Sequence, residues 1–473
     1  MTQVIAQPRG SIVPPATVGL MLGALLSVLD QTVVAIALPQ IVEDVGGADS
    51  IGWIVTAYLL ATTITGALYG RLSDRIGRRT VFLGAVGIFV LASVLAGLAQ
   101  SLPQLVAARA LQGIGGGALF VVPTIAISEL YPVERRGRMQ GLMGAIFAIA
   151  SVGGPLIGGT ITDLAGWRWI FFINVPLGLL SIALVAVALR LPRVGGGTRL
   201  DYPGAALLAA TVTCLLLITE WGGRTQSWHS PIILGLGALT VVGLAAFLWW
   251  EPRAEHPILP PRLFADRTLR IALPAALVLG ALLAGSVMYL PTYLQAAFDI
   301  SATAAGLGGL PYFLSFVAVA AIAGSKAGAT LRFKPYLLTG SLLATAGIWL
   351  LSRLGPDVSY GVVALLLVVP GVAFGLMVQN LVVVTQNAVA PADLAVTTSA
   401  ALSLRGLGMA AGVALLGNLI GRELTGQAPT IDAIASAIPA ALIWGVPLAA
   451  ALVALILLLP PTDSPGDRPN EST

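Results

Sequence analysis

Apolar stretches long enough to cross a bilayer recur from one end of this chain to the other, and no other feature constrains its fold as strongly. A helix of ~20 residues spans a hydrocarbon core of ~30 Å, and only helices and closed barrels satisfy their own backbone groups in lipid. The stretches lack the ~10-residue alternation of barrel strands. The chain therefore reads as an all-α polytopic membrane protein, in keeping with a mean hydropathy of +0.92. The gaps between runs are too short to fold as a separate soluble domain. Arg9 before the run and the Ala35-Ile36-Ala37 stretch resemble signal-peptide flanks, but the first run is too long and contains Asp30, so it is expected to stay as an uncleaved span.

Loop punctuation places fourteen spans near 16–38, 52–70, 80–100, 104–126, 139–162, 169–190, 203–220, 231–250, 271–296, 303–325, 335–353, 359–385, 395–420 and 434–460. Basic residues orient them. With a cytoplasmic N-terminus, 19 of the 25 Lys and Arg fall on the inner side, four on the outer side, and Arg109 and Arg405 lie within spans. That asymmetry is the positive-inside signal, and the even span count puts both termini in the cytoplasm. The net charge of +4 is then an orientation signal rather than a nucleic-acid footprint.

The chain also looks duplicated. "GRLSDRIGRR" (70–79) follows the second span, and "GSKAGATLRFK" (324–334) follows the tenth with the same Gly start and basic finish. "QGIGGGALF" in the fourth span parallels "PGVAFGLMV" in the twelfth, and "ASVGGPLIGG" in the fifth parallels "GMAAGVALLG" in the thirteenth. This predicts an N-terminal six-helix bundle (1–190), a linker region with two inserted spans (191–270), a C-terminal six-helix bundle (271–460) and a cytoplasmic tail (461–473). Repeated halves around a midplane site are a transporter architecture.

These motifs resemble the major facilitator superfamily, and within it the fourteen-helix drug:proton antiporter branch. "GRLSDRIGRR" is similar to the loop motif between helices two and three, and "LVAARALQGIGGGA" (105–118) to the fourth-helix motif. "GPLIGG" (154–159) resembles the fifth-helix antiporter motif, while "LDQTVVAIALP" (29–39) and "GWRWIFFINVPLG" (166–178) resemble signatures of the branch. Ala35 and Ala150 depart from the usual Asn and Gly. The resemblance implies the major facilitator fold, no cofactor, and export of lipophilic, cationic small molecules in exchange for protons. It implies a bacterial plasma membrane and a functional monomer in the lipid bilayer. A lipid or glycolipid exporter of the same fold, and a non-transporting sensor, are the alternatives.

Several residues carry this expectation. Asp30 sits roughly 20 Å into the first span at 1.5 Å per residue. A carboxylate there costs ~2.5–3.5 kcal/mol on insertion scales, so it must face a protein interior or cavity, where it could carry a proton, contact substrate or make a structural ion pair. Arg109 lies at nearly the same depth on a span running the other way; it is the expected partner of Asp30, or else a snorkelling arginine. Leu367 occupies its place in the second half. Glu220 and Arg405 are further candidates for cavity or coupling roles.

Gly70, Asp74, Arg75, Gly77, Arg78 and Arg79 form the expected cytoplasmic gating loop. Its arginines would pair with carboxylates such as Glu129 or Glu134, and Asp74 would accept from a helix N-terminus of the other half. Gly154, Pro155, Gly158 and Gly159 form either an antiporter hinge or an ordinary close helix contact. "GIGGGA" (113–118) and "GLGMAA" (406–411) match a dinucleotide pattern, but both lie in apolar helices rather than after a strand. No nucleophile–base pair is evident, and one Cys and two His do not make a metal site. The chain is expected not to be an enzyme.

Overall fold

A computed structural model describes residues 14–46, 52–191, 201–223, 226–255, 257–285, 289–355, 358–424 and 431–460. The expected tail (461–473) lies outside these residues, as do the side chains of Pro155 and Glu220.

Eighteen helices follow in order: α1 (Pro15–Val45), α2 (Gly52–Ile76), α3 (Arg78–Gly97), α4 (Leu102–Leu130), α5 (Val133–Ala165), α6 (Trp169–Phe172), α7 (Asn174–Ala188), α8 (Tyr202–Trp221), α9 (Pro231–Trp250), α10 (Arg267–Ala284), α11 (Leu290–Phe298), α12 (Ala302–Gly308), α13 (Leu310–Thr330), α14 (Lys334–Leu351), α15 (Tyr360–Asn387), α16 (Leu394–Glu423), α17 (Ile431–Leu442) and α18 (Gly445–Leu458). Among the described residues, thirteen are long and apolar enough, alone or as joined segments, to cross a membrane. The remaining expected span is α14, an 18-residue helix that opens on Lys334.

Among the described residues, three expected spans are broken rather than continuous. Breaks fall between α6 and α7, α12 and α13, and α17 and α18. A proline stands within a few residues after each break: Pro176, Pro311 and Pro447. Proline has no N–H to donate to the preceding turn, so the helix loses a bond there. At other ends the sequence supplies caps. Asp201 accepts from Gly204 N at 3.0 Å, Asp266 from Thr268 N and Leu269 N, and Ser230 from Ile233 N, each satisfying an otherwise orphaned donor. Gly77 starts α3 at φ +94° and Gly166 ends α5 at φ +88°, backbone that a Cβ disfavours.

Each half has its own core. One large cluster joins α10–α15, α17 and α18, from Leu279 and Tyr312 to Phe374 and Leu452, with Met409 and Ile420 of α16 packed against it. Two others gather α1–α7 around Phe82, Tyr58 and Ile170. The halves meet along two seams, α2 with α16 and α5 with α13. Matching the second span to the tenth and the fifth to the thirteenth exchanges one seam for the other, as a duplicated chain requires. The inserted α8 leans on the first seam, touching both α2 and α16, with Trp221 edge-on to Trp53 at 6.0 Å.

At the basic end of the bundle both seams are shut. A Cβ on Gly137 would meet Gly324 O, one on Gly141 would meet Ala320 O at 2.6 Å, and one on Gly328 would meet Glu134 O at 2.6 Å. On the other seam, Gly70 abuts Ser399 and Ala395 O. Between them Val121 and Ile125 of α4 pack on Val382 of α15 and Leu394, Ala395 and Leu402 of α16.

Candidate functional site

Asp30 and Arg109 come together as the sequence predicts. Arg109 Nη1 lies 2.5 Å from Asp30 Oδ2, and each residue is 1% exposed. Antiparallel travel along α1 and α4 brings two mid-span positions to one depth. Arg109 also donates from Nε to Ile54 O at 3.2 Å, and its guanidinium carbon sits 4.2 Å from the centre of the Tyr58 ring. A buried charge needs such complete pairing, because desolvation costs several kcal/mol per ion.

Three neutral residues finish the network. Gln112 Nε2 donates to Asp30 Oδ1 at 2.9 Å and to Ser93 Oγ at 2.7 Å, while its Oε1 accepts from Arg109 Nη1 at 2.5 Å. Asn174 Nδ2 donates to the same Asp30 Oδ1 at 3.0 Å. Asp30 therefore accepts from three donors, the arrangement its ionised form requires. Gln112, Ser93 and Asn174 are fully buried. Gln112 stands three residues after Arg109 and so shares its helix face, which is the sequence signal that marks it. Asn174 is the first residue of α7, placed by the break before Pro176.

α1 passes this position on to α5. Thr32, two residues beyond Asp30, donates to Ala150 O at 3.2 Å, and a Cβ at Gly154 would strike Thr32. Gly158 likewise faces Val33, at 2.9 Å for the nearest atom. Gly154 and Gly158 thus seat α1 on α5, Gly159 is partly buried beside them, and α5 runs unbroken from Val133 to Ala165. The geometry of the described residues is that of a close helix contact.

The expected gating loop forms a second polar cluster at the basic end. Arg78 is 3% exposed and pairs with Asp74 at 2.5 Å and with Glu129 at 2.7 Å; it also donates to Ser73 Oγ. Glu129 is thus the carboxylate partner, whereas Glu134 makes no ion pair among the described residues. The partner of Asp74 also differs from expectation: Arg78, one turn on, takes its oxygen in place of a helix N-terminus of the other half. Arg79 donates to Ala186 O of α7, and Arg75 is exposed. Beside this cluster Arg71 reaches Pro257 O at 2.6 Å, Glu251 holds the backbone N–H groups of Ile258 and Leu259, and Arg262 pairs with Asp393 at 2.7 Å. The connection after α9 is thereby strapped to α2 on one side and to the start of α16 on the other.

Arg405 is not brought to any carboxylate among the described residues. It lies on α16, with its guanidinium carbon 5.7 Å from the centre of the Phe120 ring on α4 of the other half. The C-terminal half also contains an apolar cavity of about 60 Å³ among Leu282, Tyr289, Tyr293, Tyr312, Leu416 and Leu442.

The described residues thus form a polytopic helical bundle with a buried acid–arginine pair in its core. Residues 20–413 match the model of the Major Facilitator Superfamily, and the chain belongs to that superfamily, whose members are transporters and not enzymes. It is 37% identical over 88% of its length to an uncharacterized MFS-type transporter of Mycobacterium tuberculosis, and it spans 62% of that relative's length. It is 34% identical to Multidrug transporter protein MdtP of Bacillus subtilis, over 84% of this chain and 74% of the relative. Multidrug resistance protein 3 of the same organism is also 34% identical, over 85% of this chain and 78% of the relative. Among solved structures, the human organic anion transporter MFSD10 superposes with a TM-score of 0.70 at 17% identity, covering 93% of this chain and 99% of that one, which shows a shared fold.

Proposed function

We propose that this chain is a proton-driven antiporter that exports lipophilic small molecules across a bacterial plasma membrane by alternating access, working as a monomer with both termini in the cytoplasm. The observation that carries the reading is the fully buried Asp30–Arg109 pair. In this reading a proton on Asp30 removes the charge that holds the Arg109 donor, so proton loading and loosening of the pair are coupled. The contacts of Thr32 with Ala150 and Gly154 of α5 then tie that event to the α5–α13 seam. The excess of Lys and Arg at the seam's shut end supports placing it in the cytoplasm, with Arg78 and its two carboxylates as a latch. The printed names of the Bacillus subtilis relatives support drugs as cargo. As for a cationic cargo, no carboxylate free to receive one stands in the bundle core among the described residues.

The test is dye movement in inverted vesicles under an imposed pH gradient, comparing the parent with Asp30→Asn. The parent is expected to couple dye movement to the gradient and the variant to fall to background. Gradient-driven movement that persists in Asp30→Asn removes Asp30 from coupling. A folded parent that moves no dye turns the assignment toward lipid export.

A further inference from the structure

The charges within the bundle core do not balance. Asp30 and Arg109 neutralise each other. Arg405 has no hydrogen-bond or ion-pair partner among the described residues, and its Nη1 is shielded from solvent. The described acids of the C-terminal half, Asp299, Asp393 and Glu423, all stand at helix ends or connections. Asp393 and Glu423 lie twelve and eighteen residues from Arg405 along the chain, roughly 18 and 27 Å at helical rise, far beyond ion-pair distance. The guanidinium keeps its charge in any protein environment, and the face of Phe120 offsets only part of the cost of burying it.

Its position is also fixed. A Cβ on Gly280 of α10 would meet the Arg405 carbonyl, one on Gly408 would meet Leu277 O, and one on Gly412 would meet Ala281 O. α16 is therefore seated backbone-to-backbone on α10, and the side chain is aimed from that platform across to α4. A fixed, uncompensated cation between the two halves is a binding element for an anion.

We infer that Arg405 is the charge contact for cargo carrying a negative group, a carboxylate, sulfonate or phosphate on an apolar body, so that the transporter selects amphipathic anions. This rests on the export reading above and names the cargo class for it. The planar fork of the guanidinium suits a carboxylate or phosphate better than a lysine ammonium would.

The probes are fluorescein, an anion with an apolar ring system, and ethidium, a cation of similar size. Each is titrated by fluorescence anisotropy against the purified full chain in detergent, for the parent, Arg405→Gln and Arg405→Lys. Fluorescein binding is expected to weaken by about tenfold or more in Arg405→Gln, the loss of one charge-assisted contact. Arg405→Lys should keep part of it, and ethidium should bind Arg405→Gln no more weakly than the parent. Equal fluorescein affinity in parent and Arg405→Gln overturns the inference. So does a parent that binds no fluorescein, or a variant that loses both dyes alike. The same dyes in vesicles separate this inference from the reading it rests on. Arg405-dependent fluorescein binding without gradient-driven movement sinks proton antiport and leaves the anion site standing; gradient-driven movement with Arg405-independent binding does the reverse.

Discussion

The two halves of this transporter each carry one arginine in the bundle core, and they treat it in opposite ways. In the N-terminal half Arg109 is enclosed by Asp30, Gln112, the Ile54 carbonyl and the Tyr58 ring. In the C-terminal half Arg405 faces a single aromatic ring and has no acceptor among the described residues. Leu367 stands at the place in the twelfth span that parallels Arg109 in the fourth. The difference is one of satisfaction: one arginine belongs to a closed charge pair, and the other presents a charge that no described residue answers.

Stability measurements in detergent sharpen this contrast. Arg109→Gln leaves the Asp30 carboxylate buried without its cation and is expected to cost about 3–5 kcal/mol. Arg405→Gln removes an unpaired cation and is expected to be neutral or stabilising. Thermal unfolding followed by intrinsic fluorescence reads both, and equal losses in the two variants would dissolve the comparison. A smaller loss is expected for Asn174→Ala, which removes one donor to a charged acceptor worth about 1.5–3 kcal/mol. Smallest is Ser93→Ala. It deletes the hydroxyl that accepts from Gln112 and Asn174, and about 1 kcal/mol is expected. A drop in melting temperature larger for Ser93→Ala than for Asn174→Ala would show that Asp30 depends on Ser93 rather than on Asn174.

Much of this arrangement was legible in the sequence, for a definite reason. Charges inside apolar runs are costly and therefore conspicuous, so Asp30, Arg109 and Arg405 stand out before any coordinates exist. Gln112, Ser93 and Asn174 are neutral, and such residues occur in many membrane helices without a site. Only their convergence from α3, α4 and α7 on one carboxylate gives them meaning. The basic motif at 70–79 announced a polar cluster and Glu129 as a partner, but the choice of Arg78 by Asp74 depends on the turn that Gly77 makes at positive φ. The breaks in three described spans fall just before prolines, yet apolar run length hides them, because a broken helix is as hydrophobic as a straight one. That α8 rests on one seam and not the other has no periodic signal in the sequence at all.

The shut end of the α5–α13 seam is built largely of glycine and alanine backbone, with Gly137 against Gly324, Gly141 against Ala320 and Gly328 against Glu134 O. Separating such surfaces demands little work against hydration. Burying a leucine side chain is worth about 1.5–3 kcal/mol, and a leucine-lined seam would surrender that amount for each residue uncovered. Here parting exposes chiefly peptide carbonyls, which water at the basic end can solvate at once. Under the proposed alternating access, such a seam would hold by closeness alone while shut and release with little apolar surface exposed to lipid or a neighbouring chain.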